Sequence, residues 1–381
     1  MATAAIPGLR PVWAEIDLGA IRDNAATLCS LAAPASLCAV VKADAYGHGS
    51  VEAAGAALDG GASSLGVALV EEGAELRQAG VTAPILLLSE PTNEAMAGVA
   101  AIDLIATVYT HAGVTAAAKA VADSPDQAPM TVHVKVDTGM HRVGAAPADV
   151  IDVALAVEER PELRLGGLWT HFAVADDPDD PFTSVQQRRF DEVVAELGRR
   201  GMRPPTLHAS NSAGCLAHPS SHYDMVRCGI ALYGLPPSPA LGDRADLHPA
   251  LSLHARVSHV KRLAAGEGIS YGLRYRLERP SVVATVPIGY ADGVPWRLGA
   301  AGGEVLIGGR RRPIAGSVTM DQITVDCGDD ASVAPGDEVV LLGHQGGESV
   351  GAWEWARLVD TIAYEIVCRI GPRVRRTYTS T

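Results

Sequence analysis

None of the six cysteines, Cys29, Cys38, Cys215, Cys228, Cys327 and Cys368, stands in a CxxC pair or at a metal-knuckle spacing. Widely separated and set mostly in apolar segments, they read as reduced, structural thiols. The chain also has no HExxH, and His218 and His222 fall in a Pro/Ser-rich loop, so no metal is expected. No apolar run is long enough to span a bilayer, and the first residues lack the charged start and sustained apolar core of a targeting segment. The expected location is therefore the cytoplasm, with no membrane partner. A formal net charge of -13 without long single-sign runs argues against nucleic acid, leaving a small molecule as the natural ligand.

At 381 residues and 48% hydrophobic content the chain is large enough for two domains. Short apolar runs alternate with Ala/Glu/Arg-rich stretches at 37–42, 64–69, 84–88, 104–108, 131–136, 165–171, 206–209 and 225–232. Strands alternating with helices predict a parallel sheet, and eight repeats in this length fit a closed (β/α)8 barrel. A doubly wound sheet is the alternative, but its G-x-G-x-x-G fingerprint is missing after the first strand. Past Pro236-Pro237-Ser238-Pro239 the pattern changes to alternating Leu251, Leu253, Ala255 and Val257, then short strands separated by Gly302-Gly303 and Gly308-Gly309. That predicts a mostly β domain. The expected boundaries are a barrel over 14–244 and a β domain over 245–381, with residues 1–13 associated with the latter. Residues 352–364 predict one helix with Trp353, Ala356, Val359 and Ala363 on a common face, and the Arg-rich tail around Arg373, Arg375 and Arg376 predicts a solvated end.

Chemistry concentrates where barrel strands end. Cys38-Ala39-Val40-Val41 runs into Lys42-Ala43-Asp44-Ala45-Tyr46-Gly47-His48-Gly49. An amine carried by a buried strand into a cleft loses its preference for the charged form and becomes nucleophilic, as imine chemistry requires. Tyr46 could donate to an anion, and Gly47 and Gly49 would let backbone approach a bulky ligand. Lys135 and Asp137 end the fifth strand, Thr170-His171 the sixth, Ser210-Asn211-Ser212 the seventh, and Arg227 precedes Gly229-Ile230 on the eighth. Loops after the seventh and eighth strands commonly hold phosphate, which points to Ser212 and the amides of Gly229 and Ile230.

The Lys42 segment resembles the cofactor-lysine segment of alanine racemases, the fold type III enzymes that use pyridoxal 5'-phosphate. The resemblance continues at Asp137-Thr138-Gly139-Met140-His141-Arg142, Thr170-His171-Phe172-Ala173, Arg227-Cys228-Gly229-Ile230, Ser270-Tyr271-Gly272, 287–293, Met320-Asp321-Gln322 and 361–365, nearly the whole chain. It implies that Lys42 carries the cofactor, that Tyr46, Asn211, Ser212, Gly229, Ile230 and Tyr364 surround its phosphate, and that Arg227, linked to His171, faces the ring nitrogen. It further implies two-base racemisation by Lys42 and the partner subunit's Tyr271 in a homodimer, with His171 assisting. The substrate carboxylate would meet Arg142 and the Met320 amide. Lys135 would be open to carbamylation, an unmodified ion pair near Asp137 being the alternative, and Asp176, Tyr290, Asp321 and Ile362 would line the access corridor. The implied product is D-alanine for peptidoglycan. Alternatives are a racemase of serine or another small amino acid, and a cofactor-binding barrel without turnover. Decarboxylation fits poorly, because such enzymes place a carboxylate where this chain offers Arg227. Ser317, where many relatives carry arginine, and Ala363 depart from the family pattern.

Overall fold

The computed structural model describes residues 10–123 and 128–380, which fall into two compact units: Leu18–His248, and residues up to Asp17 together with Pro249 onward. Each unit boundary thus lies a few residues later than the composition shift suggests.

In the first unit, eight parallel strands run in chain order as Ser36–Val40, Ser64–Val67, Ile85–Leu87, Ala106–Val108, Met130–Lys135, Leu163–Trp169, Thr206–His208 and Met225–Cys228. They form two four-stranded arcs. A parallel bridge between Leu86 and Ile105 joins the arcs on one side, and on the other the amides of Asp224 and Arg227 donate to the carbonyls of Leu207 and Ser210. The ring is closed, so no strand edge is left open. Ser64–Val67 and Ile85–Leu87 are buried throughout, as expected of strands covered on both faces. The helices outside show one apolar stripe: in Phe182–Arg199 the buried positions are Thr183, Gln186, Phe190, Val193 and Leu197, recurring every three or four residues.

The second unit is built on a seven-stranded sheet in which Val12–Asp17 lies between Leu251–Arg256, antiparallel, and Arg375–Thr379, parallel. The Arg-rich tail is therefore an ordered sheet strand rather than a loose end, with Arg373 and Arg375 still exposed while Arg376 donates to the carbonyls of Ile370, Gly371 and Val374. The 352–364 stretch also differs from expectation. It forms two helices, Ala352–Val359 and Ala363–Cys368, because Asp360 adopts a left-handed conformation that terminates the first. The first helix buries Ala352, Trp355 and Ala356 rather than the Trp353/Val359 face. Gly308 and Gly309, at φ 62 and 70, make the tight hairpin turn between Glu304–Ile307 and Arg310–Pro313 that only paired left-handed residues permit. No helix among the described residues is long and apolar enough to cross a membrane.

Candidate active site

The first barrel strand ends at Val40, and Lys42 opens an unusual segment. Ala43, Asp44, Ala45 and Tyr46 are all left-handed, with φ between 52 and 56, and Gly47 and Gly49 follow at φ 84 and 94. A left-handed turn of residues with Cβ atoms costs about 1 kcal/mol or more per residue, so the surroundings must enforce it. They do: the Ala43 amide donates to Glu72 Oε1 at 2.7 Å, Asp44 Oδ1 accepts from the Ser50 amide at 2.9 Å, and His48 Nδ1 lies 2.9 Å from the Ala45 carbonyl. The two glycines supply the positive φ with which the turn continues. The turn carries the ring of Tyr46 to 5.1 Å from that of Tyr233.

Tyr46 ends against the eighth-strand loop. A Cβ on Gly229 would sit 2.3 Å from the Tyr46 hydroxyl, so residue 229 must be glycine while Tyr46 occupies that place. Strand eight stops at Cys228, and Ile230, buried, begins a 3-10 turn over Ile230–Tyr233. Ser212 Oγ accepts from the amides of Gly229 at 3.0 Å and Ala231 at 3.4 Å, while Asn211 caps helix Ser212–Ala217 by accepting from the Gly214 amide. Tyr46, Ser212, Gly229 and Ile230 are therefore brought together. The Gly229 amide is engaged with Ser212.

Deeper in the barrel lies a buried cationic cluster. Arg227, 3% exposed, donates to the carbonyls of Thr170 at 2.8 Å and Ala209 at 3.0 Å, and to His208 Nδ1 at 3.0 Å and His171 Nδ1 at 3.3 Å. A guanidinium only donates, so both imidazoles accept on Nδ1 and carry their proton on Nε2. His208 then passes a hydrogen bond from Nε2 to His133 Nδ1, 2.9 Å away. Burial, then the Arg227 charge, hold His208 and His171 well below the ordinary imidazole range, and the same two causes bring His133 down to about 3. All three rings are neutral near pH 7.

Trp169 forms a platform beside them, stacked on His208 with centroids 5.5 Å apart, with Lys135 Nζ 4.1 Å and the Arg227 guanidinium 4.6 Å from its centroid. Burial and the charges of Arg227 and Arg142 lower Lys135 to about 7, Lys42 adding to the effect and Asp137 opposing it. Asp137 is occupied elsewhere: its carboxylate accepts from the amides of Gly139 and His141, both at 3.0 Å, and lies 3.2 Å from His141 Nδ1. Arg142 is exposed in the loop after the fifth strand. Three cationic side chains, Arg227, Arg142 and Lys42, thus act on Lys135, an environment suited to phosphate and carboxylate groups. Among the described residues, no set of three or more His, Cys, Asp or Glu side chains could hold a metal ion.

The β unit presents its candidates outward. Tyr271, 75% exposed, sits on a turn held by Ser317 Oγ donating to the Tyr271 carbonyl at 3.2 Å and Ser270 Oγ donating to the Ser317 carbonyl at 2.7 Å. Met320, Tyr290 and Ile362 are exposed as well, Asp321 pairs with Arg373 at 2.7 Å, and Tyr364 lies in the first turn of Ala363–Cys368. Asp176 belongs to the barrel unit, where its carbonyl accepts from Ser238. Sequence reasoning missed His208, His133 and Trp169, each an isolated ring in an apolar strand and indistinguishable there from core. It also missed that Arg10 and Arg373, from opposite ends of the chain, converge on the buried Asp292.

Comparison with known proteins covers both units. The family description "Alanine racemase, N-terminal domain" matches residues 16–237, and "Alanine racemase, C-terminal domain" matches residues 250–378. The alanine racemase of Symbiobacterium thermophilum is 46% identical over 98% of each chain, and that of Thermobifida fusca 45% identical over 96% of this chain and 97% of its own. Among solved structures, alanine racemase from E. faecalis superposes with a TM-score of 0.93 at 40% identity, covering 99% of this chain and 100% of the other. Histidine racemase from Leuconostoc mesenteroides shares the fold at a TM-score of 0.89 and 28% identity, over 98% and 99% of the two chains.

Proposed function

The chain belongs to the alanine racemase family of isomerases, and from that premise we propose that it interconverts L-alanine and D-alanine with pyridoxal 5'-phosphate, as a homodimer whose active sites combine residues of both subunits. The observation that carries the cofactor reading is the fit at the barrel mouth. Gly229 leaves space filled by the Tyr46 hydroxyl, Ser212 lies within hydrogen-bond distance of the same loop, and the cationic groups around Lys135 outweigh the one carboxylate, Asp137, that opposes them. Lys42, Tyr46, Asn211, Ser212, Arg227, Gly229, Ile230 and Tyr364 would hold the cofactor. Bound there, it would supply an aldehyde for amine capture and a ring that acidifies the α-hydrogen of the attached amino acid.

Lys42 would then remove or return the α-proton on one face, and Tyr271 of the partner subunit would do so on the other. A phenol titrates near pH ~10, so Tyr271 needs a hydrogen-bond donor or a nearby positive field to serve as a base; neutral His171, which accepts from Arg227 on Nδ1 and carries its proton on Nε2, is the assigned helper. Arg227 can donate to a ring nitrogen but cannot accept a proton from it. With only a donor at that place, electron withdrawal would stay moderate, which would favour return of the proton to carbon over transamination or loss of carbon dioxide. Arg142 and the Met320 amide would orient the substrate carboxylate, and Asp176, Tyr290, Asp321 and Ile362 would border the approach. Lys135, brought to about 7, is substantially a neutral amine at physiological pH, the form that adds carbon dioxide to make a carbamate. Such an anion would then orient Arg142.

Alanine is favoured over other amino acids because relatives at 42–46% identity across the chain bear that name, whereas the histidine racemase stands at 28%. The expected role is supply of D-alanine for peptidoglycan in the cytoplasm. Incubation with L-alanine and cofactor should yield equal amounts of both enantiomers. Failure to form D-alanine in cofactor-loaded protein would support instead a binding barrel without turnover, and preferential conversion of serine would redirect the substrate assignment.

A further inference from the structure

Asp292 is fully buried, yet the chemistry above gives it no part. Its carboxylate receives Arg10 through both terminal nitrogens, at 2.6 and 2.5 Å, the Gly289 amide at 2.9 Å and Arg373 Nε at 3.3 Å. Arg10 also donates to the Pro287 carbonyl through Nε and Nη2, fixing the strand that leads into the turn. Arg373 reaches onward, donating from Nη2 to Asp321 Oδ1 at 2.7 Å. A buried acid thus joins both terminal regions of the chain to the 287–293 turn, and through Arg373 to the residue after Met320.

The same turn grips the 319–322 loop through its backbone. The Tyr290 amide donates to the Thr319 carbonyl at 2.9 Å and the Ala291 amide to the Met320 carbonyl at 3.1 Å, while the Thr319 amide closes the loop on Gln322. No side chain fits between the two segments, since a Cβ on Gly289 would lie 2.3 Å from the Thr319 carbonyl oxygen and 2.4 Å from that of Met320. The turn is held from behind as well: the Gly371 amide donates to the Asp292 carbonyl, and a Cβ on Gly293 would meet the Arg369 carbonyl at 2.6 Å.

We propose that Asp292 and Arg373 are positioning residues that clamp the 319–322 loop, so that the Met320 amide keeps the direction needed to receive a substrate carboxylate. This rests on the assignment of the Met320 amide to substrate. The clamp acts on binding and leaves proton transfer to Lys42 and Tyr271. An exposed pair such as Arg373–Asp321 ordinarily adds little to global stability, so a purely structural role would leave substitution at Arg373 nearly silent.

The test uses the full-length, cofactor-loaded enzyme with Arg373→Ala and Arg373→Lys, and Asp292→Asn as the harsher variant that disturbs a buried charge. Hydrogen exchange of the 319–322 amides and steady-state kinetics in both directions are measured together. Arg373→Ala should speed exchange in that loop and raise KM about 3- to 10-fold in each direction, with kcat held within about twofold, as loss of an oriented hydrogen bond worth roughly 1 kcal/mol predicts. Arg373→Lys should restore part of both effects. Unchanged exchange in Arg373→Ala would overturn the clamp. Faster exchange with an unchanged KM would overturn its link to substrate, and the Met320 assignment with it, even while the wild type racemises alanine.

Discussion

In the barrel unit, Arg227, His208, His133 and Lys135 are buried and satisfied by one another, by backbone carbonyls and by the face of Trp169. In the β unit, Tyr271, Met320, Tyr290 and Ile362 project outward from loops that are themselves tightly fastened. The contrast separates two tasks. On the proposed reading, the buried neutral-imidazole and guanidinium network would fix the electrostatics around a bound group, whereas exposed aromatic and apolar side chains on fastened turns would complete a site on another subunit. In that proposal the first unit would hold the cofactor and the second would act on what is bound.

The largest expected break in this contrast is Lys42→Ala. Loss of both the amine attachment and one proton shuttle should cut kcat/KM by about 10³-fold or more, with no borohydride-fixable cofactor left on the chain. A variant that retained activity without covalent attachment would remove the barrel half of the account. Tyr271→Phe comes next: because the side chain is 75% exposed, melting should stay within about 0.5 kcal/mol of wild type, while racemisation falls about 10²- to 10³-fold. Activity of Tyr271→Phe equal to wild type would show that the exposed phenol plays no chemical part.

The smallest effect is a pH dependence. Lys135 has its folded-state value lowered from 10.5 to about 7, whereas the unfolded chain regains the ordinary value. Between those limits the unfolded state binds more protons, so this group makes stability rise with pH from about 7 upward, and below about 7 its burial cost is fully present. In buffer depleted of carbon dioxide, Lys135→Met should flatten that rise and stabilise the protein at pH 6 by about 1–3 kcal/mol. An unchanged slope would mean that the amine is not a buried cation at low pH, as a retained carbamate would also make it.

The barrel was largely legible because each strand is a short apolar run bounded by helix-forming residues, and the polar side chains ending those runs, Lys42, Lys135, His171 and Arg227, stand out against them. The left-handed turn at 43–46 was not legible, since alanine, aspartate and tyrosine carry no local preference for positive φ and are forced into it by Glu72 and Ser50 from later in the chain. His133 was hidden for a related reason: it resembles core until Gly166 and Gly167, whose absent side chains make room for its ring, are placed beside it. The tail misled because arginines normally mark solvent, and its order comes from partners distant in sequence, the strand Val12–Asp17 and the carboxylates of Asp292 and Asp321. Long-range pairing of this kind leaves no periodic trace.

The central claim is that each active site draws on two chains, and mixing variants tests it most directly. Lys42→Ala and Tyr271→Phe are each dissociated, combined in equal amounts and reassociated. Random pairing in a two-fold symmetric dimer gives mixed dimers in which one site keeps both Lys42 and the partner's Tyr271, so activity should recover to about a quarter of wild type from two nearly inactive proteins. If the mixture stays at the average of its parents after subunit exchange is verified, the two residues act within one chain and the shared-site account is wrong.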